Sequence, residues 1–269
     1  MSRKGTLIII GGAEKKNGHE RAILEEVAKA ARTKPVVLLT VATQEPEETA
    51  KTYRKVFHEL GLKKVHVLDI RERADALEKK NLKLIEDAGV VFMTGGDQLR
   101  ITSQIGDSDV FQTMQQLFKQ GGTIAGTSAG AAAMSETMIL SGKSDESSEI
   151  SSLGLAPGLG FVSDLVIDSH FAERGRIGRL LGAVTQNPKN LGLGIDEDTA
   201  IVLDNNHFRV IGSGAVYVVD GTDISYSSLS EKKPEGILTI HNAKLHVLGD
   251  GDHFDVGRKK PLVSVEASN

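Results

Sequence analysis

The sequence predicts an α/β fold with a mostly parallel sheet, helices on both of its faces and a β-rich C-terminal edge. In the first half of the chain, short β-branched runs alternate with amphipathic segments. These runs are apolar almost throughout, which is typical of parallel strands that are covered on both faces. The loops that bind ligands in such folds lie at the carboxyl ends of the strands. Functional residues are therefore expected in the turns that follow the predicted strands.

Five strands and four helices are predicted in the first half. The second helix begins at Pro46, where the missing N–H of proline costs nothing. The predicted strands are residues 7–10, 35–41, 65–70, 90–93 and 123–125, and the predicted helices are residues 19–32, 46–60, 74–88 and 109–119. Glycine-containing turns follow three of the strands, at residues 11–14, 94–98 and 126–130.

The second half is predicted to contain further strands and one helix. The predicted strands are residues 165–168, 191–196, 200–203, 208–211, 215–219, 237–240 and 244–248, and the helix is residues 173–185. Residues 141–152 are rich in serine and charge and predict a surface loop. No linker isolates the short strands of the tail, so we expect one domain over residues 1–269. An edge of this tail could pair with another subunit in a homodimer.

Composition excludes several classes of function. The net charge is −4 and no basic block is present, so nucleic acid is not an expected partner. The absence of cysteine excludes disulfides, thiolate metal sites and cysteine nucleophiles. No apolar run approaches the roughly 20 residues that cross a bilayer, and the run at residues 7–10 is shorter than the roughly 7–15 residues of a signal peptide. We expect a cytoplasmic protein that needs no membrane, metal or cofactor.

A serine lies where a predicted strand turns into a helix of small residues. The run GTSAG at residues 126–130 has the pattern of a nucleophile elbow, in which small residues let the strand and the helix approach each other. The turn lifts the hydroxyl of Ser128 clear of the backbone. Gly121 and Gly126 also have the spacing of a P-loop, but Thr127 replaces the lysine that would bind phosphates. We therefore expect Ser128 to be an acyl-transfer nucleophile.

Such a nucleophile needs a general base and a carboxylate that orients the base. Of the eight histidines, His170 directly follows an apolar run, in the sequence DSHF at residues 168–171. Glu197 follows another predicted strand, and spacing alone does not separate it from Asp196 and Asp198. In α/β-hydrolases the acid precedes the histidine in the chain, so the order found here argues against that fold.

An acyl-transfer site also needs hydrogen-bond donors for the developing oxyanion, each worth about 3 kcal/mol of barrier. The N–H of Ala129 is one candidate because it directly follows the nucleophile. Gly96, in the turn TGGDQ at residues 94–98, is the second. Without side chains, the two glycines of this turn expose their N–H groups.

Three arginines follow the candidate base, at Arg174, Arg176 and Arg179. On a helix the last two would share a face, and forked guanidinium groups suit carboxylates. We therefore expect them to bind a carboxylate of the substrate, with Asp168 facing a cationic group of the same molecule.

Together these motifs resemble the cyanophycinase family, serine exopeptidases related to the aspartyl dipeptidases. The resemblance extends from residues 8–14 to residues 249–255 and includes the motifs at 94–98, 126–131, 168–171 and 194–197. It implies the flavodoxin-like fold of class I glutamine amidotransferases, with serine in place of their cysteine. The implied reaction is the hydrolysis of cyanophycin, a poly-aspartate with arginine on each β-carboxyl, to β-Asp-Arg dipeptides.

The resemblance also implies roles for individual residues. Ser128 is the nucleophile, His170 the base and Glu197 its acidic partner. The substrate pocket is then shaped by Gln98, Asp168, Ser169, Arg174, Arg176 and Arg179. The family usually has glutamine where this chain has Ser169, which puts the strictness of substrate recognition in question more than the chemistry. Two other functions stay open, an α-aspartyl dipeptidase of the same fold and a non-catalytic protein that binds acidic ligands.

Overall fold

The main sheet combines a parallel centre with antiparallel strands at one side. The computed structural model describes residues 5–17, 20–141, 153–231 and 237–262. Within these ranges the main sheet has nine strands, in the order β17-β16-β11-β10-β1-β5-β4-β2-β3. Its strands are β1 (Thr6–Ile10), β2 (Val36–Leu39), β3 (Val65–Leu68), β4 (Val90–Met93), β5 (Thr123–Thr127), β10 (Thr199–Asp204), β11 (His207–Gly212), β16 (His253–Asp255) and β17 (Lys260–Leu262). Strands β1 to β5 are parallel, and β10 pairs antiparallel with β1.

A second sheet of four strands lies beside the main one in the described part of the chain. Its order is β15-β12-β9-β8, and only β8 and β9 are parallel. These strands are β8 (Leu165–Ser169), β9 (Leu191–Ile195), β12 (Val216–Asp220) and β15 (Lys244–Leu248). Short hairpins form from β6 (Thr137–Ser141) with β7 (Gly154–Pro157) and from β13 (Tyr226–Ser227) with β14 (Ile240–His241). The predicted C-terminal strands are therefore divided between two sheets, because β10 and β11 extend the first while β12 and β15 extend the second.

Helices cover both faces of the main sheet, as the sequence predicts. They are α1 (Ala22–Ala31), α2 (Pro46–Glu59), α3 (Lys79–Glu86), α4 (Gln98–Ile105), α5 (Asp109–Lys119), α6 (Ala129–Ala132) and α7 (Ile177–Gln186). Helices α1 and α2 pack on one face, and α3 to α6 pack on the other. The core on this second face is shared with β8, β9 and β12, and the single domain expected over residues 1–269 stays a prediction. No helix within the described ranges is long and apolar enough to cross a membrane.

Two predicted helices differ from the structure, one observed helix is absent from the prediction, and the strand predicted at residues 237–240 is reduced to β14 at Ile240–His241. The helix predicted at residues 74–88 is a 3₁₀ helix at Arg73–Leu77 followed by α3, because Glu78 between them is extended. Helix α4 is absent from the prediction, although Asp97 caps it by accepting a hydrogen bond from the Leu99 N–H at 2.9 Å. The helix predicted from residue 173 begins at Ile177. Most of the loop predicted at residues 141–152 lies outside the described residues.

Candidate active site

Ser128 occupies a strained turn between β5 and α6. Its backbone has φ 52° and ψ −113°, a conformation that a residue other than glycine holds only where its surroundings fix it. The Ser128 N–H donates to the carbonyl of Ile10 at 3.0 Å. The helix packs tightly on the sheet, because a Cβ added at Gly130 would lie 2.8 Å from the carbonyl carbon of Met93. This is the sharp, small-residue turn that the GTSAG sequence predicts.

His170 and Glu197 form a hydrogen-bonded chain with Ser128. The Nε2 atom of His170 lies 3.0 Å from Ser128 Oγ, and its Nδ1 lies 2.6 Å from Glu197 Oε1. The imidazole is mostly buried, whereas Glu197 is 39% exposed. The structure thus joins a hydroxyl, an imidazole and a carboxylate in the order that base-assisted nucleophilic attack requires.

The two other acidic candidates are bound elsewhere. Asp196 is buried and accepts from the N–H groups of Ala172 and Ala215 at 2.9 and 3.0 Å. Asp198 accepts from the Lys15 N–H at 2.9 Å and from the Ser213 hydroxyl at 2.8 Å. Their hydrogen bonds fix turns around the site, so Glu197 is the carboxylate that meets the imidazole.

Three consecutive carbonyls at the end of β1 hold the chain segments of this site. Ile10 accepts from Ser128, Gly11 accepts from the His170 N–H at 2.8 Å, and Gly12 accepts from the Asp198 N–H at 2.8 Å. Gly12 has φ +110°, and a Cβ added there would lie 2.5 Å from His170 Nε2. The imidazole therefore lies against bare backbone, which explains a glycine at this position.

One predicted oxyanion donor, Ala129, directly follows Ser128, and the other, Gly96, belongs to a turn that contacts the serine through Gly95. Ala129 is the first residue of α6, where an N–H has no partner within the helix. In the turn at 94–98, a Cβ added at Gly95 would lie 3.3 Å from the Ser128 Cβ, whereas one added at Gly96 would lie 2.9 Å from the Thr43 N. The α-carbon of Gly95 thus faces the serine, and the roles predicted for Gly96 and Ala129 stay predictions.

Gln98 and Ser169 contact neighbouring backbone. Gln98 begins α4, and its Nε2 donates to the carbonyl of Ile139 in β6 at 2.9 Å. Ser169 ends β8 and is buried, and its carbonyl accepts from Arg176. These contacts do not test the predicted roles of either residue in substrate binding.

Asp168 forms a buried ion cluster with two of the three arginines. Its carboxylate is 2% exposed and accepts from Arg179 through both Nε, at 2.6 Å, and Nη2. Arg176 Nη1 donates to the same carboxylate at 3.2 Å. Arg176 is the N-cap residue of α7 and Arg179 lies in its first turn, and their two guanidinium groups converge on Asp168. The substrate contacts predicted for these three residues stay predictions.

The three arginines differ in their burial and in their contacts with Asp168. Burial lowers the pKa of Arg176 to about 10, against the opposing effect of Asp168. Its Nε is buried and has no hydrogen-bond partner in the described structure. Arg174 is exposed.

Sequence reasoning missed a second set of residues beside the nucleophile. Glu14 is buried and accepts hydrogen bonds from the hydroxyl of Tyr53 and, at 2.7 Å, from that of Thr127. Burial and then the Glu14 carboxylate raise the pKa of Tyr53 well above its usual value, so the phenol stays a donor. Lys16 Nζ lies 3.3 Å from Glu14 Oε1 and 5.0 Å from the centre of the Tyr53 ring. The sequence signal that could have indicated these residues is the carboxylate of Glu14 in the turn after β1.

These residues line an open cavity of about 380 Å³ next to Ser128 and His170. It lies between the turn after β1 and the N-terminal part of α2. The residues that line it are Ala13, Glu14, Lys16, Glu45, Glu48, Thr49, Thr52, Tyr53, Gly95, Thr127, Ser128 and His170. A larger cavity of about 510 Å³ lies between α2 and β3 and contains no residue of the hydrogen-bonded chain.

Comparison with known proteins shows the family of this chain. The model of peptidase family S51 matches residues 7–211. The chain belongs to this family. It is 36% identical over 266 residues to a cyanophycinase of Geminocystis herdmanii, with 97% of both chains covered. A cyanophycinase of Trichormus variabilis is 38% identical, with 98% of this S51 peptidase and 90% of that protein covered. One of Synechococcus elongatus is 35% identical, covering 94% and 80%.

Solved structures support the fold of this S51 peptidase. A peptidase from an acI-B1 actinobacterium superposes with a TM-score of 0.69 at 20% identity, covering 94% of this chain and 98% of that one. A putative peptidase E protein from Listeria monocytogenes gives a TM-score of 0.57 at 17% identity, covering 78% and 100%. At these identities the likeness concerns the fold alone.

Proposed function

We propose that this S51 peptidase is a serine exopeptidase that hydrolyses cyanophycin to β-Asp-Arg dipeptides. The observation that carries the proposal is the chain of hydrogen bonds from Ser128 through His170 to Glu197. The substrate is supported by relatives named cyanophycinase that are 35–38% identical over almost the whole chain.

The geometry supports an acyl-enzyme mechanism. His170 Nε2 takes the proton of Ser128 as Oγ attacks the carbonyl carbon of the scissile amide, and Glu197 stabilises the imidazolium that forms. His170 then gives the proton to the leaving amine, the C–N bond breaks, and an ester joins the acyl part of the substrate to Ser128. A water molecule activated by His170 hydrolyses this ester and restores the free hydroxyl.

The remaining predicted residues complete the proposal. The N–H groups of Ala129 and Gly96 bind the oxyanion of the tetrahedral intermediate. Gln98, Ser169 and Arg174 contact the substrate, and the unpartnered Nε of Arg176 supplies a further donor. Asp168 and Arg179 hold this wall of the site through their ion pair, which is a narrower role than the substrate contact predicted from sequence.

We also propose that the protein is a cytoplasmic homodimer. The support for a dimer is β15, an edge strand of the described second sheet, in which Leu245 and Val247 are 53% and 56% exposed. Sedimentation of the purified protein measures its mass in solution, and a monomer at micromolar concentration contradicts this part of the proposal.

The main experiment incubates the purified protein with cyanophycin and, separately, with α-aspartyl dipeptides. We expect release of β-Asp-Arg, measured by mass spectrometry, which Ser128→Ala abolishes and Ser103→Ala does not. Ser103 is a suitable control because it is exposed and its hydroxyl donates to the Arg100 carbonyl within its own helix. Glu197→Gln is expected to slow release at least about tenfold because the imidazolium loses its carboxylate.

Other outcomes identify the alternatives. Cleavage of α-aspartyl dipeptides alone indicates an α-aspartyl dipeptidase. No turnover of either substrate indicates a protein that binds acidic ligands without catalysis. If Glu197→Gln keeps wild-type activity and Asp196→Asn or Asp198→Asn does not, the role of the acid belongs to that aspartate.

A further inference from the structure

Within the described part of the chain, the cavity between the turn after β1 and α2 is lined by one ammonium group, that of Lys16. Lys16 Nζ donates to the Glu14 carbonyl at 3.2 Å, lies 3.3 Å from Glu14 Oε1 and sits over the Tyr53 ring. The side chain is 29% exposed, so its stem is largely packed while its ammonium group borders the cavity. A lysine ammonium has three N–H donors, so these contacts leave capacity for a ligand.

The carboxylate of Glu14 serves to hold this ammonium and not to compete for a ligand. It is buried, and both of its oxygens accept from hydroxyl groups, Oε1 from Tyr53 and Oε2 from Thr127. Glu14 therefore fixes the lysine beside Thr127, the residue that precedes the nucleophile.

Lys16 differs from its neighbours in charge and position. Among the described residues that line this cavity, it is the only lysine or arginine. The acidic residues at the rim, Glu45 and Glu48, are exposed, and Glu48 lies 3.5 Å from Lys51, so solvent and that ion pair weaken their field. On the opposite side of the site, Arg179 and part of Arg176 are already paired with Asp168.

We propose that Lys16 is a substrate-binding residue that recognises a free carboxylate of the aspartyl-arginine substrate on the α2 side of Ser128. This inference rests on the proposed function, since each unit of cyanophycin carries a free arginyl carboxylate and the end of the polymer carries a main-chain carboxylate. A held ammonium attracts either group, and its place beside Ser128 and His170 fixes the position of the scissile amide relative to the nucleophile.

The test measures the kinetics of Lys16 variants on substrates whose carboxylates are either free or amidated. The substrates are two joined β-Asp-Arg units with all carboxylates free, the same molecule with argininamide, and the same molecule with a main-chain carboxamide. KM and kcat are measured for the wild type, Lys16→Gln, Lys16→Arg and the control Lys15→Gln. Lys15 is a matched control because it is adjacent in sequence and does not line the cavity; its ammonium group pairs with Glu20 at 2.7 Å and with Asp198 at 3.4 Å.

We expect Lys16→Gln to raise KM at least tenfold on the free substrate, with kcat changed less than threefold. Lys16→Arg keeps KM within threefold of the wild type, and Lys15→Gln leaves KM unchanged. On one of the two amidated substrates, the KM difference between the wild type and Lys16→Gln is expected to fall below twofold. The carboxylate that is amidated in that substrate is the one that Lys16 recognises. An equal KM increase on all three substrates, or no increase on any, overturns the proposal.

A binding measurement separates this inference from the proposed function. Calorimetry with Ser128→Ala protein measures the affinity for β-Asp-Arg without turnover. If the wild type cleaves none of the substrates, the proposed function fails, yet a tenfold weaker affinity in the Ser128→Ala/Lys16→Gln protein still supports the carboxylate site. Equal affinity in both proteins, or no binding to either, overturns it. Thermal unfolding of every variant checks that the comparison is made between folded proteins.

Discussion

Asp168 and His170 lie two residues apart at the end of β8, and their surroundings differ. The Asp168 carboxylate is buried, and Arg176 and Arg179 occupy its oxygens. His170 lies just beyond the strand with φ 49°, contacts one hydroxyl and one half-exposed carboxylate, and borders an open cavity. The first group is closed by its partners, whereas the second has room for a reacting molecule. Polar residues at the same strand end can thus serve stability or chemistry, and the number of partners distinguishes them.

Breaking the closed cluster provides the largest expected effect. Asp168→Asn removes the charge that compensates two buried guanidinium groups, so we expect the free energy of unfolding to fall by about 3–5 kcal/mol. Urea denaturation measures this change, with Asp164→Asn as the control because the Asp164 carboxylate is exposed, and its contacts are an ion pair with Lys189 at 3.3 Å and a hydrogen bond from the Ser163 hydroxyl at 3.2 Å. An unchanged stability together with a higher KM would show instead that Asp168 contacts the substrate.

Displacing His170 tests the open group. A methyl group on Gly12 would collide with the imidazole, so we expect Gly12→Ala to lower kcat about 100-fold, because a misplacement of about 1 Å has effects of that size. The control is Gly61→Ala. Gly61 also has a positive φ, of 88°, but a Cβ there meets no atom within 4 Å. Both variants place a Cβ on a residue with positive φ, and only the first places it against the imidazole.

The contrast between the two variants is as informative as either alone. We expect both variants to lose stability in urea, Gly12→Ala more than Gly61→Ala because of its contact with the imidazole, while only Gly12→Ala loses activity. Equal loss of kcat in both would mean that backbone strain, and not contact with His170, controls the site.

Local signals explain how much of this molecule the sequence predicts. Pro46 at the start of α2 and the small residues around Ser128 act within a few residues, and both predictions are confirmed in position. Helix α4 is missed because its apolar residues are few and its start depends on one side-chain cap at Asp97. The placement of β8 in a second sheet depends on pairing with β9, which no local pattern specifies.

The site residues also divide into those that local sequence signals select and those that depend on tertiary contacts. Ser128, His170 and Glu197 could be selected because each follows an apolar run, so that their strand ends indicate where they meet. The contact between Glu14 and Thr127 joins residues 113 positions apart. Likewise, the convergence of Arg176 and Arg179 on Asp168 depends on α7 beginning at Ile177, later than its apolar pattern suggests. Tertiary contacts of this kind decide which charges stay free, and the sequence alone does not contain them in readable form.

Thr127 combines features of both groups. It is buried and its hydroxyl donates to Glu14, as in the closed cluster, but it directly precedes the strained nucleophile. Thr127→Val keeps its shape but removes the hydroxyl that donates to Glu14, so we expect a loss of about 1 kcal/mol in stability and of about threefold in kcat. Thr127→Ser keeps the donor and should restore kcat while losing only the methyl contacts. Urea denaturation and steady-state kinetics on both variants separate the effects. If Thr127→Val lowers stability without lowering kcat, the hydroxyl serves stability alone, as the Asp168 cluster does. If kcat falls and Thr127→Ser restores it, Glu14 helps to hold the turn in which Ser128 reacts.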